Sequence, residues 1–251
     1  MSDAQKVLLV TGGSRGIGAA ICRLGAEAGY RVAVNYASNE NAANALVAEI
    51  KAAGGAAFAV KGDVGVEADV VAMFETVDRA FGRLDAFVNN AGIVDVKARV
   101  DEMSGARVER MMRINVVGSF LCAREAVRRM STRHGGKGGA IVNISSAAAR
   151  LGAPGEYVDY AASKGAIDTL TIGLAREVVT EGVRVNAVSP GITDTEIHAS
   201  GGQPDRVARM QDLLPMKRAA TSDEVASAVL YLLSDAASYI TGAILNVSGG
   251  R

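Results

Sequence analysis

V-L-L-V-T-G-G-S-R-G-I-G, Val7 to Gly18, is the stretch whose reading decides the fold. Four apolar residues run without a break, which suits a strand buried on both faces. Glycines follow at once, at Gly12, Gly16 and Gly18. A tight turn and a close backbone approach need missing side chains, and a helix N-terminus beyond such a turn attracts phosphate. Helical periodicity then runs from Ile17 through Ala28. Strand, glycine turn and helix in this order open a nucleotide-binding unit. The spacing, however, is G-x-x-x-G-x-G and not the general G-x-G-x-x-G.

Outward from this stretch the chain alternates strand and helix. R-V-A-V-N ends a second strand at Asn35, and a helix from about Asn39 to Lys51 stops at Gly54-Gly55. A-F-A-V-K forms a third strand leading to Asp63, and a further helix runs through Phe81. L-D-A-F-V-N-N gives a fourth strand ending at Asn90, with two helices within residues 102–133. A-I-V-N-I-S is the fifth strand, Tyr157 to Thr180 a long helix, and V-R-V-N-A-V-S the sixth strand. The last helix starts near Thr221-Ser222-Asp223, and A-I-L-N-V closes the sheet. This pattern predicts one α/β domain over residues 1–251: a doubly wound, Rossmann-like parallel sheet of about seven strands with helices on both faces. The segment from Ser189 to about Leu214 is the least regular, and its place after a strand predicts a lid over the ligand crevice.

Bulk properties narrow the function classes. The 27 basic and 27 acidic residues cancel, so there is no electrostatic footprint for nucleic acid. Tryptophan is absent and aromatics are 4%, which leaves little for base stacking. No eighteen-residue apolar run suggests a membrane span, and M-S-D-A-Q-K lacks the layout of a secretory signal. Cys22 and Cys122 read as buried side chains of a cytoplasmic protein. His134 and His198 are isolated, so no metal is expected. Arg124, Arg128, Arg129 and Arg133 fall at helical spacing: a solvated face, or a docking patch for an acidic carrier protein. Tyr157 reads either as pocket lining or as packing at a helix start.

Two positions carry chemistry. Tyr160 and Lys164 stand four residues apart on one helix face. An adjacent ammonium favours a phenolate, so the pair predicts a tyrosine able to exchange a proton near neutral pH. The end of the second strand selects the cofactor, because an acid there bonds a ribose 2′-hydroxyl and a nearby Arg favours a 2′-phosphate. The chain has Asn35, Tyr36, Ala37 and Ser38, with no acid before Glu40, and Arg15 in the loop supplies a cation. NADP (as NADPH) is therefore expected over NAD.

Taken in order, T-G-G-S-R-G-I-G, Asp63-Val64, N-N-A-G (Asn89 to Gly92), Asn115, N-I-S-S (Asn143 to Ser146), Y-A-A-S-K and S-P-G (Ser189 to Gly191) resemble the short-chain dehydrogenase/reductase family across essentially the whole chain. R-L-G-A-P-G-E-Y-V-D-Y-A-A-S-K-G-A looks especially like bacterial oxidoreductases of this family. More distantly the chain looks like glucose 1-dehydrogenases and 3-oxoacyl-carrier-protein reductases. The resemblance implies catalytic roles for Asn115, Ser146, Tyr160 and Lys164. It implies cofactor contacts from Gly12, Ser14, Arg15, Gly16, Ile17 and Gly18 in the loop, and from Asn35 and Ser38 after the second strand. Asp63 and Val64 would meet the adenine; Asn90, Ala91 and Gly92 would line the crevice. Pro190, Gly191, Thr193 and Thr195 would hold the nicotinamide end, with Tyr160 and Lys164. Asn115 would support a proton relay ending at Lys164, and Ser146 would bond the substrate oxygen, with Ser145 as its rival. The implied substrate is a small carbonyl or alcohol compound. The alternatives are a carrier-bound 3-oxoacyl group, a sugar, or a non-catalytic NADPH-sensing regulator. A homo-oligomer is implied, a tetramer before a dimer. The Ser146–Tyr160 interval is one residue longer than is common in relatives, and Ser248 stands where they often carry Asp.

Overall fold

Strand β1 (Val7–Val10) shows why the core has two halves. Leu8 and Val10 point into one apolar cluster, with Ile21, Leu46 and Val229. Val7 and Leu9 point into another, with Phe74, Phe87 and Met130. Side chains alternate along a strand, so a strand apolar at every position must be covered on both faces. The computed structural model describes residues 5–251; the first four, part of the stretch read for a secretory signal, lie outside the described residues.

The other strands are β2 (Arg31–Tyr36), β3 (Ala56–Lys61), β4 (Ala86–Asn89), β5 (Gly139–Ile144), β6 (Val183–Pro190) and β7 (Ile244–Val247). They form one seven-stranded sheet in the order β3-β2-β1-β4-β5-β6-β7, with every pair parallel. On the Leu8 face lie α1 (Gly16–Glu27), α2 (Glu40–Ala52) and α10 (Ser222–Leu233). On the other lie α3 (Glu67–Phe81), α5 (Gly118–Met130) and α7 (Val158–Val178). The remaining helices are α4 (Gly105–Met112), α6 (Ala148–Leu151), α8 (Ile197–Ser200) and α9 (Arg206–Met210). The strand order reverses between β1 and β4, which opens a crevice at their carboxyl ends.

Local chemistry sets the element ends. Asn39 accepts from Ala42 N–H and caps α2, and Thr221 and Glu224 cap α10 reciprocally. β4 stops one residue short of the sequence expectation because Asn90 leaves the ladder. Its N–H goes to Thr11 Oγ1 and its amide nitrogen to Thr11 O and Gly12 O. The two helices expected within 102–133 are α4 and α5, joined through a π turn over Arg113–Val117. The predicted lid is more ordered than its sequence suggests, since it contains α8 and α9. Among the described residues no helix is long and apolar enough to cross a membrane.

Candidate active site

The β1–α1 turn builds the first half of the site. Gly12 and Gly16 have φ of +61° and +51°, a region that only glycine enters freely. At Gly18 an added Cβ would lie 2.3 Å from Gly12 O, so the helix can approach its own turn only without a side chain. Arg15 precedes α1 and makes no side-chain cap bond. The first N–H groups of α1 are therefore left facing outward, as phosphate binding requires.

Two adjoining cavities occupy the crevice. One, of about 340 Å³, is bordered by Gly12, Ser14, Arg15, Gly16, Ile17, Gly18, Asn35, Ser38, Asp63, Val64, Asn90, Ala91 and Gly92. The other, of about 190 Å³, is bordered by Ser146, Tyr160, Lys164, Pro190, Gly191 and Thr193. Ile17, Asn90, Gly92 and Thr195 border both. An elongated, glycine-lined cleft of this kind fits a dinucleotide. A Cβ on Gly92 would stand 3.4 Å from Asn115 Oδ1 and 3.6 Å from Lys164 Nζ, so the glycine lets this segment pack against both.

Helix α7 carries Tyr160 and Lys164 on its cavity face. Lys164 is buried, and Nζ donates to Ile144 O at 2.7 Å while lying 5.6 Å from the Tyr160 ring centroid. Ser145 and Ser146 separate cleanly. Both border the cavity, but Ser145 Oγ is committed to Asp168 Oδ1 at 2.5 Å, whereas Ser146 Oγ donates to no protein acceptor among the described residues. Ser146 Oγ accepts from Ala148 N–H at 3.1 Å, so its own proton is free to donate.

Burial pushes the Tyr160 phenol up, and the neighbouring Ser146 hydroxyl is what draws it down. The sequence reading gave that role to Lys164. The structure differs because burial works against the ammonium too, and lowers Lys164 to about 8. The sign follows from linkage. A lysine whose folded pKa lies below its unfolded value costs stability wherever the unfolded state is protonated. That cost is full below pH 8 and fades as pH rises toward 10.5. Lys164→Met is expected to be most stabilising, relative to the parent, below pH 8, with the difference shrinking by pH 10.5; urea midpoints across that range measure it. A pH-independent difference would contradict a protonated buried lysine.

Two predicted residues spend their side chains on the scaffold. Asn115, within the π turn, bonds both main-chain groups of Ile93 (2.8 and 2.9 Å) and Ser163 Oγ (3.1 Å). It touches neither cavity and braces the Gly92 segment. Asn35 borders the nucleotide cavity, but its side chain is turned into the scaffold, where Oδ1 accepts from Gly12 N–H and Nδ2 donates to Gly62 O. Tyr36, Ala37 and Ser38 line that end of the cavity.

The arginine run is paired along its length. Arg124 meets Glu67, Arg128 meets Glu125, Arg129 meets Asp78, and Arg133 lies 4.0 Å from Glu181. Tyr157 answers both of its readings, since it precedes α7 and borders the smaller cavity. The sequence reading missed Gln203 and Arg206, which lie in its least regular segment. Both are buried, and Arg206 borders the smaller cavity.

Known proteins match this architecture. A family model described as Enoyl-(Acyl carrier protein) reductase covers residues 12–251. Uncharacterized oxidoreductase YgfF of Escherichia coli (strain K12) is 54% identical over 245 residues, 98% of this chain and 99% of that protein. A short chain dehydrogenase from Burkholderia cenocepacia J2315, crystallised in complex with NADP, aligns with a TM-score of 0.90 at 33% identity over 98% of both chains. A 3-ketoacyl-(acyl-carrier-protein) reductase from Brucella melitensis, complexed with NADH, aligns with a TM-score of 0.90 at 31% identity, again over 98% of both chains. With the glycine turn, the seven-stranded sheet and the Ser-Tyr-Lys constellation already in place, these matches establish that the chain belongs to the short-chain dehydrogenase/reductase family of NAD(P)-dependent oxidoreductases.

Proposed function

We propose that the protein uses NADP to move a hydride between nicotinamide and a small carbonyl or alcohol compound. The observation that carries this reading is the opening of the glycine-turn cavity onto the cavity that holds Ser146, Tyr160 and Lys164. The bound nicotinamide supplies the hydride, and the chain orients the reactants and handles one proton. In the reductive direction Tyr160 Oη gives its proton to the carbonyl oxygen. Its upward-shifted pKa keeps it loaded for that step at neutral pH. Ser146 Oγ–H donates to the same oxygen, where negative charge develops. The phenolate that remains takes back a proton from solvent, and Lys164, held by Ile144 O one helical turn from Tyr160, lines the cavity beside it. Asn115 is a positioning residue, holding the Gly92 segment in front of Lys164.

NADP preference is supported by the end of β2, where no carboxylate borders the cavity. Glu40 lies instead against the Tyr36 phenol. Arg15 is exposed at the cavity edge and would supply the cation for a 2′-phosphate. Reduction of a carrier-bound 3-oxoacyl group is the second reading, and the Brucella melitensis relative favours it. The paired arginines of α5 weigh against a carrier docking there. A homo-oligomer, a tetramer first, is part of the proposal, supported by Phe120 and Ile172 standing exposed on α5 and α7. So is a cytoplasmic setting, which suits two free buried cysteines.

The test is a panel of ketones, sugars, steroids and acyl thioesters followed by NADPH absorbance. Free small carbonyl compounds are expected to saturate the enzyme, with NADPH preferred over NADH by roughly tenfold or more in kcat/KM and Arg15→Ala narrowing that ratio. Turnover confined to thioesters would favour the second reading, and equal use of both nucleotides would remove the Arg15 argument.

A further inference from the structure

Arg206 opens α9 on the lid and forms part of the wall of the cavity that holds Tyr160 and Ser146. The residue is only 8% exposed. One arm of its guanidinium is satisfied, since Nη2 donates to Glu156 Oε2 at 2.6 Å. The group also lies over Tyr157, 5.3 Å from the ring centroid. The other arm is not satisfied. Nη1 is closed off from solvent and has no hydrogen-bond partner among the described residues. Buried donors are almost always paired, and leaving one unpaired is costly.

The guanidinium is held in place. Gln203 Nε2 donates to Tyr157 Oη, and Arg209 Nη2 donates to Gln203 Oε1 at 2.5 Å. These bonds pin the lid to the residue that precedes α7, the helix of Tyr160. The cavity is also unbalanced in charge. Among the described residues that border it, Lys164, Arg206 and Arg251 are cationic and Glu156 is the sole acidic side chain. Glu156 is already engaged by Arg206. With Lys164 assigned to the proton chemistry, a positive surplus remains, and it favours an anion. At about 190 Å³ the cavity is smaller than the ~300–1,000 Å³ of drug-sized ligand sites, so the guest is small.

We propose that Arg206 is a specificity-determining residue whose guanidinium receives the carboxylate of a small oxo acid whose carbonyl oxygen lies at Tyr160 and Ser146. A guanidinium suits this task because its fixed N–H fork matches a carboxylate. The inference rests on the carbonyl-reductase reading of the site and names its substrate class. The lid then recognises the substrate as well as covering it.

Calorimetry on the NADP⁺-saturated protein tests this without turnover of an oxo acid. The probes are 2-oxobutanoate, 4-oxopentanoate and 5-oxohexanoate, each beside its methyl ester. At least one acid is expected to bind tenfold or more tightly than its ester, roughly the effect of one charge-assisted hydrogen bond. Arg206→Met should bring that ratio close to one, and Arg206→Lys should restore part of it. Glu156→Gln, which removes the competing carboxylate, should tighten the acid and not the ester, and it keeps the question answerable if Arg206→Met fails to fold. Equal binding of acid and ester by the parent overturns the proposal. So does an Arg206→Met variant that weakens both alike, which would assign Arg206 to lid packing only. A tenfold preference for 2-oxopropylphosphonate over every acid would overturn the carboxylate assignment. An acid that binds through Arg206 yet is never reduced with NADPH would leave this inference standing and sink the reductase reading. Brisk reduction of uncharged ketones with no preference for acids would do the reverse.

Discussion

Replacing Tyr160 by phenylalanine is expected to remove nearly all turnover while NADPH still binds. The substitution deletes one oxygen from a half-buried ring on a helix that stays packed. The glycine turn lies on a different element, so most of the nucleotide's expected contacts are untouched. What disappears is the proton delivered to the carbonyl oxygen. Loss of such a donor typically costs ~10²–10⁴ in rate. Ser146 cannot replace it, because a serine hydroxyl is far too weak an acid to surrender its proton at neutral pH. Single-turnover NADPH oxidation, beside a fluorescence titration of NADPH binding, separates the two effects. A Phe variant that reduces carbonyl compounds at the parent rate would show that the proton comes from elsewhere.

The second large effect is on stability. Arg107→Ala is expected to destabilise the fold by about 3 kcal/mol, the lower end of what breaking a buried ion pair costs. Arg107 on α4 reaches Asp159 through Nε at 2.8 Å and Nη2 at 3.3 Å, with side-chain exposures of 10% and 2%. Its Nη1 also donates to Val96 O at 2.7 Å. Removing the guanidinium strands the Asp159 carboxylate away from water. The loss stays at the lower end because Asp159 Oδ1 keeps the Tyr160 N–H at 2.9 Å, at the start of α7. The same bond ties the ion pair to catalysis, since Asp159 sets the main chain immediately before the proton donor. Urea unfolding at fixed protein concentration measures the effect. The double variant Arg107→Met/Asp159→Asn should recover a large part of the loss, because no uncompensated charge remains. A single-variant loss below ~1 kcal/mol would mean that water reaches Asp159 and the pair behaves as a surface bridge.

The chain itself determines the fold. Uninterrupted apolar strands, glycine stops and alternating helices admit little other than a doubly wound parallel sheet, and Val7 to Gly18 contain both the strand and the turn that make the nucleotide crevice. These features are local, so they are legible in a linear reading. Tyr160 and Lys164 were legible as a pair for a related reason, being one helical turn apart, whereas Ser146, two residues beyond β5, was named only through the family resemblance. Tertiary structure alone decided where charge and hydrogen bonds go. Asn35 stands at the end of β2 in sequence, yet its amide is drawn inward by Gly12 and Gly62 from two other segments. Lys164 is four residues from Tyr160, yet burial among distant residues lowers its pKa, and at the phenol it is Ser146 that offsets part of the upward pull of burial. Arg206 looks like one more surface cation in an irregular stretch, and only the packing of the lid against Glu156 and Tyr157 buries it with one donor unmet. Periodicity reports which side of an element faces the core. Desolvation and hydrogen bonding depend on what arrives from the rest of the chain, and that is not written in any one segment.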